Sequence, residues 1–170
     1  DAAAGTMDTI IPVLQDAIRE VRSIATDLRP SSLDDLGLLP TLNWLCREFE
    51  DQHPGIHVEQ QISLQERDIP SPLKVILYRI IVSALEDLAA QASTGRIHLA
   101  LWQDDDSLVL LLDDTAAEAL DRTITPLRKI DPQSRAGFAR MEELTTLSGG
   151  VFTASYRSGG GTTLRAAWNR

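Results

Sequence analysis

The sequence predicts an α/β protein, a two-layer α/β sandwich with a mixed sheet, preceded by a long helix. Three observations carry that expectation. Apolar residues recur at alternating four- and three-residue intervals between residues 7 and 28. From Pro40 onward, helical and strand periodicities alternate as helix, strand, helix, two strands, helix, two strands. The last two strands then close on each other across the run Ser158-Gly159-Gly160-Gly161.

The first stripe comprises Met7, Ile11, Leu14, Ile18, Val21, Ala25 and Leu28, a heptad seam widened by Ile10, Ala17 and Ile24. Pro12 falls in the first turn after Thr9 as N-cap, where a missing N–H leaves no bond broken. A lone amphipathic helix of this length needs cover for its stripe, so a homodimer through it is expected. Its polar face mixes Asp16, Glu20 and Asp27 with Arg19 and Arg22, which suits a dimer seam rather than a membrane surface. Arg29 precedes Pro30 and is biased out of the α region, so the helix should stop there. Gly37 permits a tight turn, and Pro40 suits the first turn of a second helix reaching about Gln52. Leu38, Leu42, Leu45 and Phe49 fall on one face of it.

His53-Pro54-Gly55 ends that helix, and Ile56, Val58 and Ile62 mark a half-buried strand. Ser71-Pro72 opens a helix carrying Leu73, Ile76, Leu77, Ile80, Ile81, Ala84, Leu85 and Leu88. Residues 96–102 and 107–112 read as strands around the tip Asp104-Asp105-Asp106, which lacks the ligand spacing and central glycine of a calcium loop. Residues 114–135 show no clear period, and the length suits a functional loop or lid. A short helix over 137–147 stops at Gly149-Gly150, and strands over 151–156 and 162–168 form the closing hairpin.

At 170 residues, 43% apolar and 24% charged, the chain suits one well-cored domain with an appendage. No apolar run approaches the roughly 20 residues that span a bilayer, so no direct membrane contact is expected. A formal net charge of −9 argues against nucleic acid, which needs a basic face. Cys46 is the only cysteine, so an intramolecular disulfide and a cysteine-built metal site are excluded. Its apolar neighbours make it a buried thiol, which fits a reducing cytoplasm. The first residue is Asp1, which suggests part of a longer chain, one whose upstream portion is able to hold a membrane sensor. Trp44, Trp102 and Trp168 are too dispersed for a stacking platform and are expected in the core or at its boundary.

The joint itself reads Leu28-Arg29-Pro30-Ser31-Ser32-Leu33-Asp34-Asp35-Leu36-Gly37-Leu38-Leu39-Pro40. It resembles the elbow of sensor histidine kinases of the nitrate-sensor class, which signal to LuxR-type response regulators. Further landmarks follow in order. Leu77-Tyr78-Arg79-Ile80-Ile81 resembles the opening of that family's asparagine-box helix. Asp113 matches its adenine-reading aspartate, and Gly137 with Met141 its second glycine box. Gly149-Gly150 matches the helix-ending glycine pair, and Gly159-x-Gly161-Thr162 the last glycine-threonine turn. The resemblance implies a Bergerat (histidine-kinase ATPase-like) fold over 41–170, an elbow over 30–40, and the second helix of a dimerisation pair over 1–29. It also implies two-component signalling, in which an ATP γ-phosphoryl passes to a histidine and then to a regulator's aspartate. ATP and Mg²⁺ are the cofactors it implies, and a response regulator the partner.

The departures are chemical. Where the family has a glutamate and, four residues on, a magnesium-ligating asparagine, this chain has Ser83 and Asp87. Asp87 offers oxygen to Mg²⁺; serine is no base at neutral pH. The first glycine box reads Asp113-Asp114-Thr115-Ala116-Ala117, with no glycine, and Arg135 and Arg140 replace glycines of the second. A non-glycine in a left-handed conformation costs roughly 1–2 kcal/mol. A carboxylate roughly 5 Å from a phosphate costs on the order of 3 kcal/mol at an effective dielectric of about 20. A few such losses weaken a nucleotide about a thousandfold or more. Nucleotide-binding candidates are therefore Asp87 (also the metal candidate), Asp113, Gly137, Arg135, Arg140, Gly159, Gly161 and Thr162. No catalytic residue is assigned. His53, His57 and His98 lack the helical, acidic setting of a phosphoacceptor. The expectation is a pseudokinase, a phosphatase or a scaffold, with an active kinase as the alternative.

Overall fold

A computed structural model describes residues 31–91, 95–104, 106–115, 124–126, 132–157 and 161–169. The predicted helix over 1–29, its dimer seam, and Gly159 lie outside these residues.

The elbow holds a short helix of its own, α1 (Ser31–Asp35), which the turn-rich sequence did not suggest. Gly37 then takes φ +89°, a left-handed value that favours glycine. Next comes α2 (Leu38–Gln52), starting two residues before Pro40, which sits in its first turn as proline tolerates. It buries Leu38, Thr41, Leu42, Cys46 and Phe49, while Leu45 is half-buried. At its C-terminus the His53 ring stacks on Phe49 with centroids 4.3 Å apart, and His53 Nδ1 lies 2.9 Å from the Phe49 carbonyl.

β1 (Ile56–Ser63) follows, then a 3₁₀ turn (Glu66–Asp68) and α3 (Ser71–Gln91). β2 (Gly95–Asp104) and β3 (Ser107–Thr115) form a hairpin. β4 (Ile124–Pro126), α4 (Pro132–Leu147), β5 (Gly150–Arg157) and β6 (Thr162–Asn169) complete the described chain. The six strands lie in the order β1-β2-β3-β6-β5-β4. β1 and β2 run parallel and every other neighbouring pair antiparallel, so the sheet is mixed as expected.

The core lies between the sheet and α2, α3 and α4. Leu77, Ile80, Ile81, Ala84, Leu85 and Leu88 of α3 are essentially inaccessible. They meet Ile97, Leu99 and Leu101 of β2, Leu108, Leu110 and Leu112 of β3, and Leu164, Ala166 and Trp168 of β6. Each of those strands presents every second residue to the helices, as the pleat requires. α4 adds Phe138 and Met141. Trp168 Nε1 donates to Ser148 Oγ (2.9 Å), fixing the end of α4 to β6. At the sheet's β1 edge, Val58 N–H donates to Glu50 Oε1 of α2 at 2.7 Å.

Of the stretch 114–135 read as a loop or lid, residues 114–115, 124–126 and 132–135 are described and fall in β3, β4 and α4; the rest lies outside the described residues. β3 keeps its ladder with β2 through Thr115, opposite Arg96. α4 opens at Pro132, where proline's fixed φ suits the first turn; too few apolar side chains precede Phe138 to signal it. Trp44 is 59% exposed, contrary to the expectation of a core or boundary residue, because α2 buries the faces beside it. Cys46 is buried, and that burial, followed by the Glu50 charge, pushes its thiol up to about 12. Among the described residues, no helix is long and apolar enough to cross a membrane.

Candidate functional site

The described candidates lie on four elements: Asp87 on α3, Asp113 on β3, Arg135, Gly137 and Arg140 on α4, and Gly161 and Thr162 at the start of β6. Asp87 sits in the last turns of α3 and meets α4 at Gly137, where a β-carbon would overlap the Asp87 carboxylate. Burial, and secondarily the charge of Glu86, pushes the Asp87 carboxyl up to about 6. Gly137 is thus required by close packing between two helices. Its φ is not left-handed.

The strand register separates the two aspartates of β3. Leu108, Leu110 and Leu112 face the helices, so Asp114 follows them inward and is 6% exposed. Its Oδ1 would lie 3.7 Å from a β-carbon on Gly95. Asp113, the sequence candidate, points to the opposite face. There Thr163 Oγ1 donates to its Oδ1 at 2.7 Å, in a polar row with His98 and Glu59. His98 Nδ1 itself lies 3.3 Å from Glu59 Oε2. The helix-side carboxylate is therefore Asp114, while the candidate Asp113 lies on the other face. The signal was the spacing Leu110-x-Leu112-x-Asp114, hidden because Val109 and Leu111 make the whole run apolar.

Thr162 joins Asp114 on the inner face. The β3–β6 ladder pairs Ser107 with Asn169 through Asp113 with Thr163, so one step on Thr162 stands opposite Asp114. Thr162 is 2% exposed, and Gly161 before it takes φ +105°. Arg140 is exposed on α4. Arg135 lies in the first turn of α4, where only its backbone is described.

This donor set fits Mg-nucleotide poorly. Asp87 Oδ2 and Asp114 Oδ1 are buried oxygens that accept no hydrogen bond, although each residue interacts elsewhere. Two carboxylates in one layer suit a cation, but a nucleotide also needs backbone N–H groups for its phosphates. β3 remains a strand through Thr115, where a glycine turn would open. Gly137 is the sixth residue of α4, beyond the turn whose N–H groups stay open, so its own is committed within the helix. In neither possible register of the Asp113–Ala117 box does a glycine appear. Among the described residues no cluster of three or more metal-ligating side chains forms.

No protein-family profile matches the chain. A sensor histidine kinase MctS of Rhizobium johnstonii is 32% identical over 117 residues, 69% of this chain and 25% of the relative. The signal transduction histidine-protein kinase/phosphatase DegS of Brevibacillus brevis is 30% identical over 124 residues, 72% and 31% respectively. An oxygen sensor histidine kinase NreB of Staphylococcus carnosus is 27% identical over 140 residues, 82% and 38%. The chain thus spans between a quarter and two-fifths of these relatives' lengths. Among solved structures, the blue-light activated histidine kinase of Erythrobacter litoralis aligns over 78% of this chain and 41% of its own, with a TM-score of 0.58 at 15% identity. The mycobacterial sensor histidine kinase MprB aligns over 75% of this chain and 90% of its own, with a TM-score of 0.53 at 15% identity.

Proposed function

The chain belongs with the sensor histidine kinases as one of their C-terminal ATPase-type domains, and from that premise we propose that it works as a pseudokinase. In this reading it serves two-component signalling as a scaffold, holding a dimer and presenting a response regulator of the LuxR type without binding ATP itself. One observation carries the reading. α4 runs unbroken through the second glycine box, with Gly137 pressed on Asp87, so the backbone that would wrap phosphates is helical. The missing glycines of β3 and the carboxylate at the asparagine position act in the same direction. The regulator-facing half of a kinase/phosphatase cycle, the kind the name of DegS carries, needs no such cradle.

A second reading, an active kinase with an atypical pocket, draws on Asp114 and Thr162. Both lie on the inner face, where an adenine amino group needs a carboxylate acceptor. In that case Asp114 reads adenine, Asp87 holds Mg²⁺, and Arg135 or Arg140 stands in for the glycine-box N–H groups.

Calorimetric titration of Mg-ATP into the folded protein separates the two. The scaffold reading expects no heat at millimolar nucleotide. Micromolar binding abolished by Asp114→Ala, and retained in Asp113→Ala, establishes the kinase reading instead.

A further inference from the structure

The elbow is fastened by a residue far away in the chain. Glu66, in the 3₁₀ turn after β1, accepts from Leu38 N–H through Oε1 and from Leu39 N–H through Oε2, both at 2.8 Å. These are the first two N–H groups of α2, which its own N-cap residue, Gly37, has no side chain to satisfy. Lys74 Nζ of α3 holds the same carboxylate at 2.7 Å. A β-carbon at residue 37 would meet Glu66 Cδ and Oε1 at 2.6 Å, so the bare glycine is what admits the carboxylate. On the other side of the turn, Leu33 of α1 and Leu38 of α2 are 4% and 0% exposed, both in the core. Thr41 Oγ1 donates to the Gly37 carbonyl at 2.7 Å and closes the turn from within.

We propose that Glu66 is a latch that makes the elbow a stiff coupling, so that α1 moves with the sandwich as one body. Three elements meet at one carboxylate: the start of α2, the 3₁₀ turn, and α3 through Lys74. A displacement of whatever precedes Ser31 then reaches the sandwich as a reorientation, because the joint has no slack to absorb it. α3 also carries Ser83 and Asp87, so the elbow is tied to the helix that builds the candidate site. The inference rests on the elbow alone and holds whether or not nucleotide binds.

Spin labels at Asp35→Cys and Gln103→Cys, both exposed positions, measure α1 against the sheet. Cys46 is buried with its thiol pushed up to about 12 and does not compete for label. In the parent protein the pulsed-EPR distance distribution is expected to be narrow. Glu66→Ala should broaden it and speed amide exchange at Leu38 and Leu39 by about tenfold or more, leaving the β2–β3 amides unchanged. Gly37→Ala should do the same by evicting the carboxylate, and the double variant should go no further than either single one. Lys74→Met should fall between. A narrow distribution kept in folded Glu66→Ala and Gly37→Ala proteins overturns the latch. So does protection lost equally in β2 and β3, which would make Glu66 a general stabiliser.

Discussion

Two carboxylates show how burial and partners set opposite signs. Asp87 is pushed up to about 6 by burial and then by Glu86, well above an unfolded aspartate. Its contribution to stability is therefore present below the ordinary carboxylate range and lost as pH rises through about 6. Asp87→Asn removes the charge while keeping the shape. It should gain on the order of 1 kcal/mol at neutral pH, after allowance for solvent screening, and nothing near pH 4. Urea unfolding at the two pH values tests this. Glu66 runs the other way. Burial raises its carboxyl, but the Leu39 and Leu38 amides and Lys74 outweigh that and hold it below the usual range. Its contribution is present above the unfolded carboxylate range and lost as pH falls through its lowered folded value. Neither role was legible in the sequence. Glu66 and Leu38 are 28 residues apart, and the polarity of Asp87 says nothing of Gly137 beside it. Asp114 was not singled out in the sequence, because the unbroken apolar run from Leu108 to Leu112 conceals which face each following aspartate takes.

At the scale of elements, the long periodic segments and the glycine-marked turns could be read, whereas α1 and the first turn of α4 could not. α3 and the strands from β1 to β3 follow from apolar spacing and turn residues, because burial on one face enforces that spacing. α1 and the first turn of α4 have almost no apolar pattern; contacts elsewhere and proline's geometry decide them. The α4–β5 junction shows how little freedom such a joint has. Gly149 takes φ +84° as the helix ends. Gly150 is then so enclosed that a β-carbon would stand 2.6 Å from Trp168 Nε1 and 2.8 Å from the Ala167 carbonyl. Gly150→Ala should cost about 1–3 kcal/mol in a thermal or urea melt, since backbone must shift to admit the methyl. Trp168→Phe, which removes the bond to Ser148 and leaves a gap in the core where the indole packed, should cost about 2–3 kcal/mol. Trp44→Ser, on the exposed side of α2, should change stability by less than about 0.5 kcal/mol.

For the whole molecule, the order of helices and strands was enough to expect the sandwich, and the sheet order β1-β2-β3-β6-β5-β4 agrees with it. The core and the candidate site draw on different residues. The core depends on inward-facing Leu, Ile and Val, whereas a phosphate cradle depends on backbone N–H groups freed by glycine turns. The same division of labour appears at the sheet margin. Among the described residues β1 ends the sheet, and an edge strand offers its amides to any extended chain nearby. Glu50 occupies one of them, the Val58 N–H, and brings a negative charge to the rim. Glu50→Ala should therefore cost about 1–2 kcal/mol in a urea melt and also shorten the lag of fibril growth, followed by thioflavin fluorescence, more than a core variant of equal cost does. A single glutamate would then be guarding the folded domain against templated stacking, a duty unrelated to signalling and invisible in any assay of it.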